Sequence, residues 1–226
     1  MIKSIVLAVA LFGLCTLHSP VEAQVSFGIK GGYTQSTFDD DLRSTQEDLR
    51  TNDPAHGFAG GIFANFSLPF LPLSIQPEVL YVQKGNHLKY SSTANLPHEH
   101  LDVETTLQYI EVPVLAKLKV PLTLPFMPHI FAGPTYSYLL HSEERTQSQH
   151  VGITQDTTLS PVPRFGTSDL GIAFGLGIDF ELLVTKISLE ARHTTGLMNI
   201  YKKESDTSPE LTFKNRTWMF MLGVAF

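Results

Sequence analysis

The sequence predicts an all-β chain, an eight-stranded antiparallel up-and-down transmembrane β-barrel with long extracellular loops and short periplasmic turns. Three observations carry that expectation. Stretches of about ten residues recur with period-2 alternation, as barrel strands that cross a membrane do. The links between them run long, short, long, short, long, short, long. The face opposite the large apolar residues is small, glycine-rich and sparsely charged, which suits a narrow lumen rather than a solvated exterior.

Composition narrows the classes. The 226 residues carry 16 Lys plus Arg against 22 Asp plus Glu, a net charge of −6, which argues against a nucleic-acid binder. The single cysteine, Cys15, excludes a disulfide framework and a cysteine-rich zinc site. A 42% hydrophobic content excludes a disordered chain.

The first element, residues 1–23, reads as a secretory signal peptide. Lys3 gives the basic start, Ile5 to Leu17 the apolar core, and Val21-Glu22-Ala23 the small-residue cleavage end before Gln24. Leu14 before Cys15 is too bulky for a lipoprotein cleavage box. Residues 24–226 then form one outer-membrane barrel domain, with the N- and C-termini periplasmic and the outer membrane of a Gram-negative bacterium as its place.

Eight strands are expected: Val25–Gln35, Gly57–Leu68, Leu73–Lys84, Thr106–Lys119, Pro128–His141, Ser168–Leu182, Lys186–Thr194 and Arg216–Phe226. In the last, Trp218, Phe220, Leu222, Val224 and Phe226 alternate with Thr217, Met219, Met221, Gly223 and Ala225. In the sixth, Leu170, Ile172, Phe174, Leu176, Ile178 and Phe180 alternate with Asp169, Gly171, Ala173, Gly175, Gly177 and Asp179. Val25, Phe27, Ile29 and Tyr33 form the apolar face of the first. These faces meet lipid, because a closed barrel satisfies every backbone group and leaves no edge. Tyr33, Phe66, Tyr81, Tyr138 and Trp218 are placed for interfacial girdles. Phe63, Tyr109 and Phe131 point inward and fill the lumen.

The order of short motifs along the chain is similar to that of the Bacteroidetes PorT-like family of outer-membrane β-barrel proteins. They are Phe27-Gly28-Ile29-Lys30-Gly31-Gly32, Gln76-Pro77-Glu78-Val79-Leu80-Tyr81 with Lys84-Gly85, and Tyr109-Ile110-Glu111-Val112-Pro113. Phe131-Ala132-Gly133-Pro134, Gly175-Leu176-Gly177, Ala191-Arg192-His193 and Thr195-Gly196-Leu197 follow. The chain departs at His193, where the family has Tyr. The resemblance implies a barrel in the outer membrane and says much less about activity; an accessory role in protein secretion is one variant, suggested by the protein that gives the family its name.

The inward charged set is Lys30, Glu78, Glu111, Lys117, Lys119, Asp169, Asp179, Glu190 and Arg192. Glu78 and Glu111 on neighbouring strands raise acid–base chemistry. An ion-pair network is the stronger reading, since charges in a narrow lumen must neutralise one another. His98-Glu99-His100 with His87 reads as a solvated loop, because metal capture needs three or four converging ligands. Asp39-Asp40-Asp41 lacks the glycine and distal glutamate of a dedicated calcium loop and reads as exposed acid. His193 faces outward near the rim, which raises a lipid-modifying enzyme. Thr194 lies on the opposite face, so a substituted girdle aromatic is the better account.

The expected function is that of a non-enzymatic outer-membrane barrel with loops that bind an extracellular or envelope protein. No catalytic, cofactor or metal residues are assigned. The expected partners are outer-membrane lipid, that protein, and the barrel-assembly machinery, which reads the terminal strand ending at Phe226. An outer-leaflet lipid-modifying enzyme is the alternative.

Overall fold

The computed structural model describes residues 25–40, 48–92, 99–120, 126–150, 153–162, 165–182, 185–200 and 213–226. The signal-peptide assignment, Cys15, Asp41 and His98 lie outside the described residues.

Among the described residues nine strands form one antiparallel sheet: β1 (Val25–Asp40), β2 (Asp48–Ser67), β3 (Leu73–Ser92), β4 (Glu99–Lys119), β5 (Met127–His150), β6 (Ile153–Leu159), β7 (Ser168–Glu181), β8 (Lys186–Gly196) and β9 (Phe213–Ala225). Eight of them close a ring. The sheet runs β4-β3-β2-β1-β9-β8-β7-β5, and β4 pairs with β5 to complete the circle. The ninth, β6, stands outside the ring and pairs with the far end of β5, Glu144 opposite Leu159 through His150 opposite Ile153. The expected eight-strand ring is present.

The strand ends differ from the sequence expectation. β2 begins at Asp48 rather than Gly57, β3 runs to Ser92 rather than Lys84, and β4 begins at Glu99 rather than Thr106. β5 continues to His150 rather than His141. Much of the chain expected as polar loop is therefore paired ribbon. The physical reason is solvent: above the membrane both faces of a ribbon meet water, so the alternation that marks a strand disappears while the ladder persists. A barrel strand needs only about 9–11 residues to cross a bilayer. β2 to β5 have 20, 20, 21 and 24 residues, so nearly half of each rises past the ring at one end. Asp39 and Asp40 likewise belong to β1, opposite Lys214 and Phe213, and do not form a loop.

The other end carries the short connections, such as the turn in which Leu68 N–H donates to the Leu73 carbonyl and Leu182 N–H to that of Thr185. The chain's last residue is fastened there: Phe226 N–H donates to the Phe27 carbonyl at 2.8 Å and Phe27 N–H returns to Phe226 at 3.3 Å.

The faces fall as the alternation predicts. Phe27, Phe174, Leu176, Phe220 and Leu222 are exposed on the outside, whereas Thr217, Met219, Met221, Ala173 and Asp179 are buried inside. Phe63, Tyr109 and Phe131 all lie in the lumen. Small inward residues make room for them. A Cβ on Gly28 would collide with the Phe63 ring, and one on Gly175 would lie 2.6 Å from Cζ of Phe131. Gly175→Leu is therefore expected to cost about 1–3 kcal/mol through overpacking, read as a lower urea midpoint in detergent micelles.

Candidate functional site

The lumen is built from side chains that alternate inward along all eight ring strands, and it forms two charged layers under an apolar cap. In the lower layer the Arg192 guanidinium donates both arms to Glu78, Nη1 to Oε2 at 2.8 Å and Nη2 to Oε1 at 2.9 Å. Such a fork is the strongest carboxylate contact available to a side chain. Lys30 Nζ bridges Glu78 and Glu190, 2.8 Å from each. Lys117 lies 3.3 Å from Glu190 and 3.7 Å from Asp179. Gln76 donates to Glu78 at 2.7 Å and accepts from Lys117 at 3.3 Å. Three cations thus face three carboxylates, a neutral cluster in which every charge is nine-tenths or more buried. His129 completes it, with Nδ1 3.5 Å from Asp179.

The upper layer is built around Glu111 and a cation, Lys84, that the inward charged set read from the sequence does not include. Glu111 pairs with Lys84 and accepts from Ser137 Oγ at 3.0 Å. Glu78 and Glu111 are consequently each committed to their own cations, so no carboxylate pair stands ready for proton transfer. Asp169 is capped by Asn215 Nδ2 at 3.0 Å. Lys119, expected inside, stands half-buried at the rim that carries the short turns. Each inward aromatic lies beneath a cation: Phe63 under Lys30 at 4.8 Å, Tyr109 under Lys84 at 5.2 Å, Phe131 under Arg192 at 5.3 Å. That arrangement recovers part of the desolvation cost of each cation.

Above these layers, chain that the sequence assigned to projecting loops folds back across the mouth. Val162, Phe165 and Ile200 pack with Phe38, Leu107 and Tyr109 into one buried apolar cluster. Backbone bonds hold the cap: Gly166 N–H to the Ile200 carbonyl at 2.7 Å, and Leu139 N–H to that of Thr167 at 2.8 Å. At the opposite end, the cavity beside Ser26, Asn65, Gln76 and Ser188 measures about 10 Å³, room for about one water. Planar bilayers holding the refolded protein are expected to show no stepwise ion current. A conductance in the range of general porins would contradict the packed lumen.

The outward histidine has a neighbour that the sequence reading overlooked. Thr194 is buried as expected, but Thr195 shares the outer face with His193 and its hydroxyl lies 3.1 Å from Nε2. Nδ1 of His193 has no hydrogen-bond partner, so nothing orients the ring as a base. The barrel ladders occupy the surrounding backbone N–H groups, which leaves none for an oxyanion. Ser160 and Glu143 both approach His141, yet they converge on the same nitrogen, Nε2, at 3.1 and 3.9 Å, so no relay runs through that imidazole.

On the ribbons, His87 pairs with Asp102. Among the described residues no group of three or more His, Cys, Asp or Glu converges as a metal site. Lys89 donates to Asp53 at 2.8 Å, which holds that carboxyl below its ordinary range and raises the ammonium. Arg145 does the same to Asp156 at 2.8 Å.

A closed ring with an apolar exterior and an ion-paired, packed interior fits one environment, since large exposed apolar surface needs a non-aqueous partner. The model of the outer membrane protein beta-barrel domain family matches residues 19–202. The chain belongs to that family. Membership implies the outer membrane of a Gram-negative cell, so the outer face of this outer membrane β-barrel meets lipid. Among solved structures it is similar in fold to Ail, the attachment invasion locus protein of Yersinia pestis, at 13% identity and TM-score 0.41, covering 89% of this chain and 98% of that one. OprG from Pseudomonas aeruginosa is 13% identical with TM-score 0.43, over 88% of this chain and 94% of that one. The outer membrane protease OmpT from Escherichia coli is 8% identical with TM-score 0.39, over 93% of this chain and 99% of that one. No curated protein sequence matches.

Proposed function

We propose that this barrel is a non-enzymatic surface protein whose tall ribbons bind a protein partner outside the cell or in the envelope. The observation that carries the reading is the division of the chain. The lumen is spent on an ion-paired packed core and a cap, while β2 to β5 project far beyond any membrane requirement. In this reading residues 1–23 export the chain, the ribbons are extracellular and both termini periplasmic. Phe226, paired to β1 through Phe27, is the terminal aromatic that the assembly machinery reads. The motif order shared with PorT-like proteins of Bacteroidetes makes secretion the first pathway to examine.

The test compares cells lacking the protein with cells restored by the full chain, by a chain whose β5–β6 ribbon (residues 144–159) is replaced by a short turn, and by His193→Ala. Surface binding or the secreted protein profile is expected to fall in the deletion and in the ribbon replacement, and to return with His193→Ala. Each variant should still run as a compact band before boiling. If the deletion instead alters the lipid A profile and His193→Ala fails to restore it, the lipid-modifying alternative replaces this one.

A further inference from the structure

Every strand of the ring has a neighbour on both sides, but among the described residues β6 has only one. It ends the sheet order, and β5 alone pairs with it. The backbone N–H and C=O groups that a strand aims away from its neighbour therefore line the outer edge of β6. Natural edge strands carry guards against further pairing: a lysine, a proline, a bulge or a covering segment. β6 carries no lysine and no proline. Its ladder with β5 runs from Ile153 to Leu159 without a register shift. Thr154 through Leu159 are all exposed, and four of the seven residues are β-branched, the type that suits a strand.

The face beside this edge is acidic. Alternation puts Asp53, Asp102, Glu104, Glu143 and Asp156 on the outward face of the β2–β6 ribbon. Among the described residues two cations, Lys89 and Arg145, share that face with them. Both are committed, Lys89 to Asp53 and Arg145 to Asp156, each at 2.8 Å. Asp102 has His87, Glu143 has His141 at 3.9 Å, and Glu104 stands opposite the committed Arg145. On the other face of β6, Gln155, Thr157 and Leu159 bring no charge.

Building on the reading that the ribbons bind a protein, we propose that the partner enters as an added strand. An extended, basic segment pairs with the outer edge of β6, the mode of β-augmentation. Main-chain hydrogen bonds hold it, and the alternation of its side chains sorts them between the two faces. Those level with Thr154, Asp156 and Thr158 are lysine or arginine, facing the acidic side. Those beside Gln155, Thr157 and Leu159 are β-branched or apolar. A second copy of this chain, whose net charge is −6, is the poorer occupant because it brings the same excess of carboxylate to the edge.

The probe is a short dye-labelled peptide of alternating lysine and valine, titrated with the full refolded barrel in zwitterionic micelles and read by anisotropy. One control has glutamate in place of lysine. The other is N-methylated at every backbone nitrogen, which keeps the charge and removes the donors. Each control is expected to bind at least about ten-fold more weakly, having lost the charge match or several backbone hydrogen bonds. Thr154→Lys with Thr158→Lys supplies guards beside Asp156 and should weaken the lysine peptide by about ten-fold. Replacing residues 144–159 by a short turn should remove its binding. Only samples that give the compact unboiled band are compared. Equal binding of the methylated and unmethylated peptides overturns the proposal, since charge alone then accounts for the attraction. Failure of the lysine peptide to bind also overturns it. So does energy transfer between labelled barrels that the peptide does not compete away, because the edge then belongs to a second copy. The cells carrying the ribbon replacement keep the two readings apart. Surface binding lost with the ribbon while the peptide fails overturns the strand addition alone; surface binding kept without the ribbon overturns both.

Discussion

Phe174→Arg and Leu222→Arg should each sharply reduce the fraction of chain that folds into liposomes. Both side chains stand mid-strand on the lipid face, 47% and 52% exposed in the isolated barrel. Arginine at such a depth costs about 2–4 kcal/mol, falling to about 0–1 kcal/mol near the interface. Leu170 supplies the internal control. It lies on the same face of β7 as Phe174, two alternations nearer the ribbon end, and its carbonyl accepts from Leu197 N–H at the rim. Leu170→Arg should therefore fold almost as well as wild type. The readout is the compact band on unboiled gels across a urea series. A flat response, with Phe174→Arg as harmless as Leu170→Arg, would mean that Phe174 does not face hydrocarbon.

What the sequence discloses follows solvent contrast. Where one face meets lipid and the other a packed lumen, as along Leu170–Phe180 and Trp218–Phe226, alternation is strong and the inward residues follow by parity. Glu78, Glu190, Arg192 and Asp179 were all legible in this way. Lys84 was legible too, since it shares parity with Glu78 through Leu80 and Val82, and His129 shares it with Phe131. Both were missed because each lies near the end of an expected strand, where alternation alone does not say how far the lumen continues. The ribbons were not legible, because strands with water on both sides carry no pattern. The cap was not legible for a different reason. Val162, Phe165 and Ile200 follow no strand alternation, and only their long-range meeting with Phe38 and Leu107 gives them a role. Thr195 was missed by testing the residue next to His193 rather than the next one on the same face.

Glu78→Ala is expected to be the most destabilising single truncation in the lumen. Glu78 accepts from both arms of Arg192, from Lys30 and from Gln76. Its loss leaves three cations against two carboxylates in a layer where Arg192 is only 1% exposed. Breaking such a buried pair costs about 3–5 kcal/mol, most of it the uncompensated charge rather than the lost attraction. Removing a cation as well should therefore help. Glu78→Ala with Arg192→Ala returns the layer to two against two, and should recover part of the loss despite deleting more atoms. Glu111→Ala belongs to the other layer and should respond to a different partner: Lys84→Ala recovers stability, whereas Arg192→Ala only adds to the damage. Urea unfolding in micelles, analysed as double-mutant cycles, separates the two, because residues of one network couple by about 0.5–3 kcal/mol and distant ones add. If Glu111 couples to Arg192 as strongly as to Lys84, the lumen holds one continuous network, and the division into two layers is wrong.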